Sequence, residues 1–453
     1  MKNNTSGNFS EKMMEWVNRF ANSKAILSLK DGFVLTMPIT LIGSIFMLIG
    51  NFPIPGWETF MAGIFGPGWQ EPLNQVTGAT FDIIALIAVF GIAYYWAKHS
   101  NVDAVPAGLL ALVSFLIITD SFVALPEEVM NAISNEGVAL QTISGVIPKS
   151  WTGGQGMVTA ILVGFLVGAI YSWFVRHKIT IKMPESVPEG VSNAFSALIP
   201  GVVIVTLFLL LYIIFDMLAG KTLTAIIYQI LQLPMQHLSD SLGGIIAIMA
   251  LISLFWLFGL HGPNIVMGVM SPILTANVLA NQKIVDAGGE LIARGANANA
   301  AIVGPQMVDI YCKFGGAGLT LGLLIAVFIA GRSRQLRTLS KMSLVPGIFN
   351  INEPVIFGLP IVMNPILAIP FIVTPVIAAI LTYFSIKIGF IAPFISTQIP
   401  WTTPPLISGF LLSGWQGALL QLIILVISII IYLPFVKMQD RQFYEMEKVN
   451  VEE

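Results

Sequence analysis

The sequence predicts an all-α polytopic membrane protein: about ten transmembrane helices, two re-entrant hairpins, and both termini on the cytoplasmic side. Three observations carry this. Of the 453 residues 56% are hydrophobic and only 10% charged, against about 25% charged in soluble domains. Apolar runs of spanning length recur along the chain, and Lys and Arg gather in alternate loops between them, the pattern that sets orientation in a bilayer. Finally, 41 glycines and 26 prolines suit closely packed and broken membrane helices. The net charge of −2 argues against a nucleic-acid partner. A single cysteine, Cys312, excludes an intrachain disulfide and a Cys-rich metal site. No metal-ligand set, phosphate-cradling glycine loop or cofactor motif is visible, so neither metal nor cofactor is expected.

Residues 1–31 interleave Phe9, Met13, Trp16, Val17, Phe20 and Ile26 with lysines and Arg19. They read as an amphipathic segment on the cytoplasmic surface rather than a cleavable signal. The first transmembrane half covers 32–220. Its spans run about Phe33–Ile49, Phe81–Ala97, Val105–Ala124, Met157–Val175 and Leu198–Leu218. The loop Asn51–Thr80 lacks Lys and Arg, which places it outside, and Arg176-His177-Lys178 marks the inside. Residues 221–240 form an interfacial connector. The second half, 241–436, begins with a span over Gly243–Leu260 and a piece broken by Gly268 and Pro272 over Ile265–Leu279. The polar loop Asn281–Ala300 follows, then a span over Gly315–Ala330 that lands on Arg332, Arg334, Arg337 and Lys341. Spans over Ile366–Tyr383 and Gly409–Phe435 close the half, and 437–453 is a cytoplasmic tail with Lys437, Arg441 and Lys448.

Two stretches of the second half resist a regular helix. In Met342–Pro360 an apolar sequence carries Glu353, preceded by Asn350 and Asn352 and flanked by Pro346, Gly347, Pro354 and Gly358. In Ala392–Ser408 four prolines surround Trp401 and Thr402. Non-helical backbone at membrane depth is tolerated only where protein or a wet cavity covers it. A carboxylate there costs about 2.5–3.5 kcal/mol on insertion scales and marks a functional site. His261, in Phe258-Gly-Leu-His-Gly-Pro-Asn-Ile265, sits at a similar break. Sugars need paired acceptors for adjacent hydroxyls, amides for the others, and a ring face for the C–H surface. Glu353 and His261, with Asn264, Asn350, Asn352, Gln306 and Trp401, offer that set. Trp401 equally fits an interfacial aromatic belt. The same carboxylate, its pKa raised by desolvation, suits proton coupling. Asp82 and Asp216 lie near span ends and read as solvated or capping, and His99 and His177 adjoin lysines at a cytoplasmic boundary. Cys312 is not expected to act as a nucleophile.

Phe349-Asn-Ile-Asn-Glu-Pro-Val-Ile-Phe-Gly-Leu-Pro360 closely resembles the signature of the membrane-embedded IIC component of bacterial sugar phosphotransferase systems, in the lactose/cellobiose/diacetylchitobiose family. Leu260-His-Gly-Pro-Asn264, Pro400-Trp-Thr-Thr-Pro-Pro405 and Trp151–Gly164 fit its histidine, tryptophan and fourth-span segments. The resemblance covers essentially the whole chain. It implies a permease in the bacterial cytoplasmic membrane, homodimeric through its first half. This permease imports a β-linked disaccharide such as cellobiose or diacetylchitobiose and presents the 6-hydroxyl to a phosphocysteine on a IIB protein. IIB is recharged by IIA, and IIA by the phosphocarrier HPr. Glu353 and His261 then hold the hydroxyls around the phosphorylated carbon as catalytic groups. Asn264, Asn352, Thr402 and Gln306 support the sugar, and Trp401 stacks on it. Only residues 437–453 follow the last span, so IIB is expected to be a separate polypeptide, and Cys312 does not replace its cysteine. The alternative is a proton-coupled sugar transporter with Glu353 as the proton site. An intramembrane acid–base enzyme lacks any supporting motif.

Overall fold

The computed structural model describes residues 19, 22–50, 52, 56–125, 142–184, 187–258, 261–359, 361 and 364–452. Most of the N-terminal segment, the acidic stretch holding Glu127, Glu128 and Glu136, and Leu260 lie outside the described residues, as does the side chain of Glu353. The described chain is predominantly helical. Among the described residues, seven helices are long and apolar enough to cross a membrane, or up to eight if the bent pair Leu223–Ser239 and Leu242–Leu257 is one span. Two shorter apolar helices, Val105–Ile117 and Thr320–Ala330, accompany them.

The chain divides into two compact units. The N-terminal unit comprises Asn22–Thr40 and Gly78–Gln236, and the C-terminal unit includes Leu41–Thr77 and His237–Glu453. In the N-terminal unit, α1 (Lys24–Val34), α2 (Ile84–Lys98) and α3 (Met157–Arg176) pack through small residues. A Cβ on Gly32 would lie 2.5 Å from Ile92 N, and one on Gly91 would lie 2.6 Å from Gly32 O. Gly164 and Gly168 meet the side chains of Ile92 and Trp96 at similarly short distances. Without a hydrophobic drive between helices in lipid, such close approach supplies the van der Waals contact that holds them. A short antiparallel ribbon pairs Phe122–Ala124 with Thr142–Ser144. Gln232 Nε2 donates to Gly154 O at 2.7 Å, and its Oε1 accepts from Val158 N at 3.2 Å, fixing the start of α3. Asp82 pairs with Lys149 at 3.4 Å, and His99 with Asp31 at 3.1 Å, so both serve as boundary contacts.

The C-terminal unit is built on α4 (Leu242–Leu257), α5 (Gly262–Asp286), α6 (Thr320–Ala330), α7 (Arg334–Ile348), the single-turn α8 (Glu353–Gly358), α9 (Pro365–Lys387) and α10 (Ile407–Glu452). Three details differ from the sequence expectation. The piece expected to break at Gly268 and Pro272 is the continuous α5, with Pro272 inside it. Proline removes one N–H but leaves the turns on either side intact, and neighbouring helices tolerate this at membrane depth. The span expected from Gly315 begins only at Thr320. Gly315, Gly316, Gly318 and Leu319 all have positive φ, which no right-handed helix accommodates. α10 bends at Ser413 and Gly414, whose backbone angles are non-helical.

Candidate functional site

Three turns of the C-terminal unit meet around the backbone of Glu353. The first is Gly315–Leu319, the second Phe349–Asn352, and the third Pro400–Thr403. Asn350 and Asn352 join them. Asn350, itself in the left-handed region at φ 64°, accepts at Oδ1 from Gly315 N at 2.6 Å. Its Nδ2 donates to Trp401 O at 2.5 Å and Thr403 O at 3.0 Å. Asn352 Nδ2 donates to Ala317 O at 2.8 Å. Both asparagines are buried. The Gly315–Leu319 turn is held in its own right: Thr320 Oγ1 donates to Gly315 O, while Thr374 Oγ1 and Tyr432 OH donate to Gly318 O at 2.8 and 2.6 Å.

These bonds start α8 at Glu353. Asn352 O accepts from Val355 N and Ile356 N, each at 2.9 Å, and Pro354 sits in the first turn, where its missing N–H costs nothing. Gly316 is indispensable to this geometry. A Cβ there would lie 2.2 Å from Asn352 Cγ, on a backbone at φ 97° that side chains rarely adopt.

The segment from Ile391 to Leu406 is non-helical throughout, and buried amides satisfy much of it. Asn281 Nδ2 donates to Phe394 O and Ala301 O, both at 2.8 Å. Gln306 Nε2 donates to Ile395 O and Thr397 O, both at 2.8 Å. Gln421 Oε1 accepts from Leu406 N at 2.6 Å and Gly409 N at 3.0 Å, and its Nε2 donates to Ile310 O at 2.7 Å. Asp240 Oδ1 accepts from Ile302 N and Val303 N at 2.6 Å, holding the strand-like approach to this region. An unpaired buried backbone group costs as much as a lost hydrogen bond, and each of these side chains removes that cost from irregular backbone.

Of the residues expected to contact a ligand, the structure brings Asn352, Glu353 (by its backbone), Trp401 and Thr402 into one neighbourhood. Trp401 is 43% exposed, so its ring is open to a partner while its carbonyl is taken by Asn350. Asn352 and Gln306 donate to backbone carbonyls. Their amide N–H groups therefore act in this conformation by positioning the turns. His261 caps α5: its Nδ1 accepts from Asn264 N at 3.2 Å, which puts the proton of the neutral ring on Nε2. The imidazole lies 4.7 Å from the Trp256 ring, centroid to centroid. His261 and Asn264 are both exposed. Gly262 lets this break approach α4 closely, since a Cβ there would meet Ile252 O.

Three features escaped the sequence reading. The run Gly315-Gly-Ala-Gly318, read there only as the start of a span, is the receiving half of the asparagine clamp; several glycines just before an apolar run were its signal. Asn281, read as the start of a polar loop but lying inside α5, and Gln421, apparently an ordinary polar residue inside a span, turn out to be backbone stitches. The third is the i,i+4 pair Asp309–Lys313, whose Oδ1 and Nζ are 2.6 Å apart beside the same turn, with the Lys313 side chain only 16% exposed. Cys312 next to it is fully buried, so no nucleophile is presented there.

The comparisons with known proteins agree with this architecture. The family model described as Phosphotransferase system, EIIC matches residues 30–375. The lichenan permease IIC component of Bacillus subtilis (strain 168) is 40% identical over 435 residues, covering 95% of this chain and 93% of that protein. The PTS system cellobiose-specific EIIC component of Geobacillus stearothermophilus is 36% identical over 436 residues, again covering 95% and 93%. Among solved structures, the transporter ChbC, the IIC component from the N,N'-diacetylchitobiose-specific phosphotransferase system, matches with a TM-score of 0.89 at 40% identity. That match covers 97% of this chain and 99% of ChbC. A chain of spanning apolar helices, matched over most of its length by the family model and end to end by these relatives, belongs to the EIIC permease family of the sugar phosphotransferase systems.

Proposed function

We propose that this protein imports a β-linked disaccharide, cellobiose or diacetylchitobiose before lactose, and presents its 6-hydroxyl to a phosphocysteine on a separate IIB protein. The observation that carries this is the double asparagine clamp. Asn350 ties the turn that leads into Glu353 to the turn bearing the exposed Trp401, about fifty residues on, and Asn352 ties it to Gly315–Leu319, which supports a site drawing on both segments. Support also comes from relatives whose names specify lichenan, cellobiose and diacetylchitobiose.

In this proposal Trp401 stacks on the apolar face of a pyranose and Thr402 bonds a neighbouring hydroxyl. Glu353 accepts from the 6-hydroxyl, either orienting it or removing its proton as phosphate arrives; general-base help of that kind is worth about 10²–10⁴-fold. The Nε2–H of His261 and the amide of Asn264, both exposed at a helix start, complete the donors. Phosphorylation makes import irreversible without an ion gradient, because the charged product does not readily recross the bilayer. The fuller proposal has about ten spans with two re-entrant hairpins, termini and phospho-donor on the cytoplasmic side of a bacterial inner membrane, IIA and HPr upstream, and a homodimer.

Transport of labelled cellobiose into vesicles tests this. Uptake that requires phospho-IIB and yields the sugar 6-phosphate is expected. Uptake abolished by a protonophore, with free sugar inside, would instead establish proton coupling through Glu353.

A further inference from the structure

We propose that the N-terminal unit carries a binding site for the phosphate of an anionic phospholipid, separate from the sugar site and formed where the start of α1 meets the C-terminal ends of α2 and α3. A cavity of about 400 Å³ opens there, and its working residues are Lys24, Trp96, Ser172, Trp173, Arg176 and His177. The proposal rests on these helices crossing a bilayer, as their length and composition allow.

The lining is cationic and contains no carboxylate. Among the described residues, neither Lys24 nor Arg176 is in an ion pair; the nearest acid along α1, Asp31, is engaged by His99 at 3.1 Å and Lys30 at 3.5 Å. Arg176 has an ordinary reason to be there, since a cation suits the C-terminal end of a helix. Lys24 has the opposite situation. It is the first residue of α1, where the positive end of the helix dipole disfavours a cation. Two positive groups facing one cavity, one of them against its own helix dipole, are stabilised by an anion between them.

A second observation points the same way. Ser172 lines the cavity, is 3% exposed, and among the described residues its hydroxyl has no hydrogen-bond partner. Buried hydroxyls are normally paired; this one is occluded at the cavity wall, and a turn about its Cα–Cβ bond offers it to a phosphate oxygen.

The surroundings favour a lipid as the source of that phosphate. Trp173 is 49% exposed and lies 4.6 Å from the His177 ring, and Lys24 Nζ sits 5.2 Å from the centre of Trp96. Tryptophans with cations at the end of an apolar helix are the furniture of the headgroup layer. Two and three turns back along α3 from Trp173, Leu166 and Leu162 are exposed, offering a surface for acyl chains. Basic pockets between membrane helices at this level recognise anionic headgroups.

The test uses the full-length protein in nanodiscs of mixed phosphatidylcholine and phosphatidylglycerol, with retained lipid read by native mass spectrometry. Wild type is expected to retain phosphatidylglycerol selectively. The double variant Lys24→Gln/Arg176→Gln should lose that retention by roughly thirtyfold, the effect of two headgroup-facing charges, and Lys24→Arg/Arg176→Lys should restore it. Lys98→Gln, at the same end but directed over Tyr94 and Tyr95, should leave it unchanged. Sugar binding equal to wild type verifies that each variant is folded. Should the double variant fail that check, Arg176→Gln alone, at an exposed helix end, carries the test. Equal retention by wild type and variant overturns the site. A thermal shift in pure phosphatidylcholine discs that inorganic phosphate produces and phosphatidylglycerol does not overturns the lipid assignment in favour of a soluble phosphate.

Discussion

The two units hold themselves together by different means. In the N-terminal unit regular helices approach through glycine, as at Gly32 against Gly91 and Gly168 against Trp96. In the C-terminal unit the decisive contacts are amide side chains bonded to irregular backbone: Asn281, Gln306, Asn350, Asn352 and Gln421. The difference follows from what each must do. A regular helix satisfies its own backbone, so close packing is sufficient. A turn that carries a polar group at membrane depth cannot, and its freed N–H and C=O groups must find partners from elsewhere in the protein. Glycine contacts therefore mark a scaffold, and buried amides mark where backbone has been broken for a purpose.

Substitutions that separate folding from sugar handling can break or sharpen this contrast. The largest effect is expected at Glu353. Glu353→Gln should lower phosphorylation by about 10²–10⁴-fold with the protein still inserted and thermally unchanged; wild-type turnover would remove Glu353 from the site. Next is Asn350→Leu, which leaves Gly315 N, Trp401 O and Thr403 O without their partner. A loss on the order of 3–5 kcal/mol is expected from three orphaned backbone groups, together with loss of sugar binding, measured by thermal unfolding and calorimetry on one sample. A Tm drop with unchanged sugar affinity would make the clamp structural only.

The matching change in the other unit is Gly91→Leu. Overpacking against Gly32 and Leu35 should cost about 1–3 kcal/mol or somewhat more, while the surviving folded fraction keeps its sugar affinity. If affinity fell in step with stability, the division of labour between units would be wrong. Smallest is Trp401→Ala. Its ring is exposed and its structural contribution is a carbonyl that alanine retains, so Tm should barely move while disaccharide affinity falls roughly tenfold, about 1.4 kcal/mol. Unchanged affinity would return Trp401 to an interfacial role.

The candidate site residues were legible because membrane burial makes polar residues conspicuous. Glu353 stood out as a carboxylate in an apolar run, His261 as an imidazole before Gly-Pro, and Trp401 as a ring among prolines. What the sequence could not reveal was the destination of the amides. Asn352 and Gln306 look like sugar contacts when listed by donor type. Only three-dimensional placement gives Asn352 Nδ2 to Ala317 O, and Gln306 Nε2 to Ile395 O and Thr397 O. Pro272 misled in the other direction: a breaker by local chemistry, it sits inside a continuous helix because neighbours support that turn.

Composition and pattern by themselves determined that this is a helical membrane protein, because hydrophobicity over spanning lengths is a local property that the bilayer reads directly. They also singled out where the candidate polar residues lie along the chain. The tertiary structure decided how Gly315–Leu319, Phe349–Asn352 and Pro400–Thr403 become one clamp. Hydrogen bonds between turns separated by 35 to 53 positions depend on which backbone groups folding has left unpaired, and no local pattern encodes that.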